Sequence, residues 1–214
     1  MGLSITVGLL DDQARNDAEG LVHFRGAFAR LSAALADGGV DWHEPEIADP
    51  PAAPAVSAHF PYSYLYHLRR VFVLAGRGER LTPALETDAE QYERDGRKIQ
   101  DETSMFASHL LCHADNSGYY IPVDFDDPLF LPEESDVAGY GMVGSSQRLL
   151  AELASLAPSL GIHLDADGTL PAAEDSTLAD LEPGSPFETE KIAWHQLYRA
   201  CRASIADGKA IVFL

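Results

Sequence analysis

The densest gathering of residues that could do chemistry lies between 109 and 127: His-Leu-Leu-Cys-His-Ala-Asp-Asn-Ser-Gly-Tyr-Tyr-Ile-Pro-Val-Asp-Phe-Asp-Asp. His109 and His113 are spaced i, i+4. On a helix that spacing sets both imidazoles on one face, where with Asp115 they could share a metal ion. On an extended strand the same spacing separates them by ~13 Å, too far for a single ion. Cys112 beside His113 invites a thiol nucleophile and its base. Neighbours on a strand point to opposite faces, so there the pair could not form and Cys112 reads as a core residue. Asp124, Asp126 and Asp127 could hold a cation or act as acid and base. Asp-Asp-Pro is also ordinary turn chemistry. Tyr119 and Tyr120 alternate, so one packs inward and the other is free to line a pocket. The candidate binding residues are therefore His109, His113, Asp115, Tyr120, Asp124 and Asp126. No metal is required, and the only set that could hold one is His109, His113 and Asp115.

The local structure decides between these readings. Asp115-Asn116-Ser117-Gly118 is a cluster of turn formers between two apolar runs. Asn and Asp tolerate left-handed backbone, and Gly takes it at no steric cost. The pattern predicts a β-hairpin over 109–125, followed by a loop over 126–144 with two prolines, several carboxylates and glycines. Loops of that length are uncommon unless functional or mobile. The alternative is that a helix starting near Asp88 runs on to His113, which restores the histidine pair.

Two further patterns invite ligand readings. Gly139-Tyr-Gly141-Met-Val-Gly144 fits the spacing of a dinucleotide-binding turn, and a helix is predicted after it. The strand that should lead into the first Gly is missing, and Glu133-Glu134-Ser135-Asp136 stands there instead. Acidic residues so close would repel a pyrophosphate, so a glycine loop entering a capped helix is preferred. His163 to Glu174 matches most positions of a calcium-binding loop, with Asp165, Asp167, Gly168 and Glu174 in register. Its first position is His163, a poor calcium ligand, and Pro171 falls where the exit helix should form. Asp-Ala-Asp-Gly reads as a plain turn. There is no Walker loop, no G-x-S-x-G, no H-E-x-x-H and no CxxC, and no cofactor is called for.

The elements that must position these residues follow from periodicity. Leu3–Leu10 is β-rich. Leu21, Phe24, Phe28, Leu31 and Leu35 form one face of a helix over 18–37, closed by Gly38-Gly39. Val40–Ile47 reads as a short strand and the proline-rich 49–54 as a connection. Pro61 opens a helix carrying Leu65, Leu68 and Phe72. Asp88–Phe106 reads as an exposed helix interrupted at Gly96. Ser145 or Ser146 caps a helix over 145–160 with Leu149, Leu153, Leu156 and Leu160 inside. A short strand is predicted at 161–164. The last helix spans 187–206 with acids in its first turn, and Trp194 is expected in the core. The apolar 210–214 reads as a strand inside a sheet. The fold expected is a single α+β domain over 1–214: a mixed or antiparallel sheet with about five packed helices, or alternatively an α/β sandwich with more parallel pairing.

The bulk charge bounds function. Fifteen basic against 34 acidic residues give −19, and 46% of residues are hydrophobic, enough for a real core. Such acidity disfavours nucleic acid and anionic membranes as partners, since phosphate is bound by Lys and Arg. It permits a basic protein partner. No segment reads as a signal peptide or a membrane helix, and the two cysteines read as reduced thiols. A cytoplasmic location is expected. An apolar hairpin, a Trp-bearing C-terminal helix and strong acidity together resemble small bacterial proteins of unknown function, some of them immunity proteins that neutralise toxins. That resemblance carries no residue roles. Two functions follow: a non-catalytic acidic protein binding a basic protein, immunity-like, or a small metal-assisted enzyme built on the 109–127 hairpin and the 126–144 loop. Composition leaves the oligomeric state open.

Overall fold

The last strand of the chain is the middle of the sheet. The computed structural model describes residues 2–214. In chain order the elements are β1 (Gly2–Val7), α1 (Leu9–Asn16), α2 (Ala18–Asp37), β2 (Val56–Pro61), α3 (Tyr62–Gly76), α4 (Ala89–Thr103), α5 (His109–Cys112), β3 (Gly118–Ile121), β4 (Leu129–Phe130), β5 (Met142–Ser145), α6 (Ser146–Leu156), α7 (Ala172–Ala179), α8 (Glu188–Asp207) and β6 (Ile211–Phe213). The strand order is β2-β1-β6-β3-β5-β4. β6 lies antiparallel between β1 and β3, and among the described residues only β3 and β5 run parallel. The expected α+β class with a mixed sheet holds, with eight α-helices among the described residues rather than about five.

Helices cover both faces of this sheet. On one face Leu65 and Leu68 of α3, Leu149 and Leu153 of α6 and Trp194 and Leu197 of α8 pack against Leu3, Ile5, Tyr120 and Phe213. Trp194 is fully buried, and its indole N–H donates to the Leu153 carbonyl at 2.7 Å. On the other face Leu9, Leu10, Phe28, Leu31 and Leu35 meet Tyr119, Ile121 and Val212. This explains one departure from expectation. Tyr119 and Tyr120 do point to opposite faces, yet both are buried, because neither face is left open.

Other departures have local causes. Leu9 and Leu10 do not extend the first strand; Gly8, at φ 90, turns the chain straight into α1. The 40–47 and 161–164 segments form no strand, whereas β2 and α7 appear where no periodicity announced them. β2 instead gains its place by pairing along the whole of β1, from Gly2↔Pro61 to Val7↔Val56. α4 is unbroken at Gly96, where the Tyr66 hydroxyl takes the space that a side chain would need. Of the two serines expected to cap α6, Ser145 does so, accepting from the Arg148 N–H.

The largest correction concerns 109–125. There is no hairpin. Residues 109–112 form the short helix α5, capped by Ser108, and His113 closes it in extended backbone. β3 pairs with β5 and β6, not with the chain before it.

Candidate functional site

The six candidate residues separate into a buried joint and an exposed rim. In the joint, His109 is buried and bonded at both ring nitrogens: Nδ1 accepts from the Ser145 N–H at 3.0 Å, and Nε2 donates to the Asp126 carbonyl at 3.1 Å. Burial holds its pKa below the usual histidine value. His113 is buried too. Its ring stacks on Tyr120 at 4.3 Å, and Nδ1 donates to the Ala114 carbonyl at 2.7 Å. Desolvation pushes it down to about 3, so the ring is neutral at ordinary pH. The Tyr120 hydroxyl donates to the His109 carbonyl at 2.9 Å, and burial raises its pKa.

Glu152 completes the joint. Its two carboxylate oxygens accept the His109 and Leu110 N–H groups at 2.9 and 2.7 Å, satisfying the start of α5. Burial outweighs those bonds and lifts its pKa to about 6.

Beneath it lie two consecutive arginines of α3. Arg69 donates to the carbonyls of Leu110 and His113 and pairs with Asp115. Arg70, fully buried, pairs with buried Asp95 at 2.9 Å and bonds to Thr82. Nothing in the sequence pattern marked Arg69 as the clamp of this region. A basic pair in an otherwise apolar helix stretch was the available signal.

α4 ends at Thr103 and α5 at Cys112, with His113 following in extended backbone, so the i, i+4 pair is not carried on one helix. His109 and His113 bond to different backbone groups, and Asp115 is taken by Arg69. Among the described residues no three His, Cys, Asp or Glu side chains come together as a metal set. Cys112 is half-buried rather than in the core, and its thiol pKa is raised by burial, the wrong direction for a nucleophile.

The rim is different in kind. Between 124 and 136 the chain carries six carboxylates: Asp124, Asp126, Asp127, Glu133, Glu134 and Asp136. All six are exposed. Arg148 forks between Asp124 and Asp126 at 2.7 and 2.5 Å, and Arg30 approaches Asp136 at 3.5 Å. Asp127, Glu133 and Glu134 have no ion-pair partner among the described residues. The 126–144 segment is ordered by β4, β5 and a 3-10 turn at Glu133–Ser135.

The glycines of 139–144 owe their places to packing, not to a phosphate. A side chain at Gly139 would strike Gly118 Cα at 2.8 Å, and one at Gly141 would strike the Leu131 carbonyl at 2.6 Å. Both glycines have φ of 74. Gly144 lies in β5 against the Tyr120 ring. The strand thus starts inside the G-x-G-x-x-G pattern instead of before it. Residues 165–169 form a plain turn in which Asp167 accepts the Thr169 N–H at 2.9 Å.

The glycine turn at 139–141 carries Tyr140, which is 91% exposed at φ 58. Phe106 is likewise exposed, at φ 54. Left-handed backbone at a bulky residue costs roughly 1–3 kcal/mol. Phe106 meets Phe130 edge-on at 5.3 Å, and Phe130 and Tyr140 line one open groove of about 680 Å³ with Asp115, Cys112 and Met142. Sequence reasoning passed over Phe130 and Tyr140 because they fall outside any apolar period, and it placed Phe106 as an anchor of the 88–106 helix, whereas α4 ends at Thr103 and Phe106 lies beyond it.

No helix among the described residues is long and apolar enough to cross a membrane. A family model described as "Putative DNA-mimic protein" matches residues 1–213. No curated protein and no solved structure matches the chain. The family finding corrects the partner expectation. Nucleic acid was left out of the chemistry, yet this family is described by its likeness to DNA; a basic protein partner still fits. Acidity argues against binding phosphate and equally argues for resembling it.

Proposed function

This chain belongs to that DNA-mimic family, and from this premise we propose that it occupies the DNA-contacting surface of a DNA-binding protein, its carboxylates standing where phosphates would. The observation that carries the reading is the disposition of charge. Against a net charge of −19, most carboxylates are exposed, while the cations of the core and rim are committed to internal pairs, such as Arg69, Arg70, Arg148 and Lys209. The field outside is therefore negative, as it is around a duplex, and steers a cationic partner.

The molecule acts as a single domain without catalysis. Its target works where DNA is held, which in a bacterial cell is the cytoplasm. An immunity-like role fits the same chemistry if the DNA-binding partner is a toxin. The metal-assisted enzyme finds no support in the joint, where each histidine is bonded to a backbone carbonyl and no three potential ligands come together among the described residues.

The test is displacement. A labelled duplex is bound to each of several purified nucleoid and helix-turn-helix proteins, and the full chain is titrated in at low and physiological salt. The expected result is release of duplex from at least one of them, weakening steeply as salt screens the surface over ~8 Å. Failure to release duplex from any of them at low salt overturns the reading.

A further inference from the structure

Of the nine large apolar side chains exposed among the described residues, four fall in one neighbourhood. Met105, Phe106, Phe130 and Tyr140 are 71, 58, 51 and 91% exposed. Phe130 touches Phe106 and shares a groove with Tyr140 and Asp115. We propose that this aromatic face is the contact surface and that its occupant is guanidinium: the arginines with which a DNA-binding protein grips its duplex. The inference rests on the DNA-mimic reading and names the face that performs it.

Charge complementarity selects the occupant. Phe130 stands in the chain between Asp126-Asp127 and Glu133-Glu134. The nearby cations Arg69, Arg148 and Arg30 are already engaged by Asp115, Asp124 with Asp126, and Asp136. An arriving cation thus meets carboxylates without competitors. Guanidinium suits the face better than ammonium does. It is planar and weakly hydrated, stacks on an aromatic ring, and still presents N–H donors in its plane to carboxylates. A duplex offers a similar combination, flat π-surfaces set between anions.

The rings are also held ready. Tyr140 sits between two glycines packed against Gly118 and Leu131, and the turn is closed by the Gly141 N–H on the Val137 carbonyl and the Met142 N–H on the Gly139 carbonyl. A ring presented by a pinned turn loses little freedom on binding. The other long acidic stretch, 165–182, contains no aromatic residue. It shares the charge and lacks the π-surface, which makes it the internal control.

The experiment titrates the full chain with labelled nona-arginine and nona-lysine peptides at 150 mM salt, reading fluorescence anisotropy. Nona-arginine is expected to bind roughly three- to tenfold tighter than nona-lysine. The Phe106→Gly/Tyr140→Gly variant removes two rings and leaves residues that accept left-handed backbone; Phe106→Asn/Tyr140→Asn serves if the glycines destabilise the fold. Either is expected to bring the two peptides to equal affinity with thermal unfolding little changed. Asp180→Lys/Glu182→Lys is expected to weaken both peptides alike and keep the preference. Equal affinities in the unmodified chain, or a preference that survives loss of the rings, overturn the proposal. The duplex-release assay separates the two readings. Release undiminished in the ring variants leaves the DNA-mimic function standing and rejects this face. A ring-dependent arginine preference without any duplex release supports the face and rejects the function.

Discussion

The joint beneath α5 and the rim above it are built from the same residue types and behave oppositely. In the joint, Arg70 and Asp95 are buried and paired, and Arg69 ties two carbonyls and Asp115 to α3. On the rim, Asp127, Glu133 and Glu134 face water with no internal cation. The difference lies in solvation. A charge removed from water must be matched group for group, which leaves nothing for an outside ligand. A charge left in water costs the fold little and stays available. Clustering of His, Asp and Tyr in the sequence therefore marks two things at once, a polar joint and an exposed acidic rim, and only burial separates them.

The comparison breaks most sharply at Arg70. Asp95→Ala leaves that guanidinium buried without its carboxylate and should cost about 3–5 kcal/mol of stability in urea unfolding. An effect below 1 kcal/mol would mean that the joint is wetter than its burial shows.

Next is the acid sensitivity of His113. Its folded pKa, about 3, lies below its ordinary 6.5, so its stabilising contribution is complete above 6.5 and is lost as pH falls toward 3. The stability difference between the unmodified chain and His113→Phe should shift by up to about 4 kcal/mol against the histidine over that window.

Glu152 runs the other way. Its folded pKa is raised from 4.5 to about 6, so the folded state favours the protonated acid and stability is lost as pH rises through that range. Relative to Glu152→Gln, the unmodified chain should lose about 2 kcal/mol between pH 4 and 7. A difference that does not vary with pH would show that the two N–H donors of α5 hold the carboxylate ionised.

The smallest expected effect on folding belongs to the rim. Glu133→Lys/Glu134→Lys should change stability by less than about 0.5 kcal/mol per substitution while slowing association with a DNA-binding partner. A large loss of stability there would place these carboxylates in the joint's class.

Much of the scaffold was legible from periodicity. The stripe Leu21–Leu35 gives α2, Leu149–Leu160 gives α6 and its 3-10 extension, and Trp194 proves to be core. Those elements bury one continuous apolar face each, so their pattern is local. The candidate site was legible as a place and illegible as an arrangement. Asp115-Asn116-Ser117-Gly118 does turn the chain, but what it joins is a helix to a strand in which Tyr119 finds its partners 24 and 93 residues further along, at Val143 and Val212.

By itself, then, the sequence determined the acidity, the main amphipathic helices, a serine cap for α6 at 145 or 146 and the core place of Trp194, because each depends on residue type or on spacing within one element. Tertiary structure decided whether 109–112 coils or extends, since four apolar and amphipathic residues have no strong preference until Glu152 and Arg69 satisfy their ends. It also decided that Tyr119 and Tyr120 are both buried, because that depends on helices covering both faces of the sheet. And it decided which carboxylates were neutralised and which left free, because pairing is a matter of distance in space, and Arg69 finds Asp115 across 46 residues of chain.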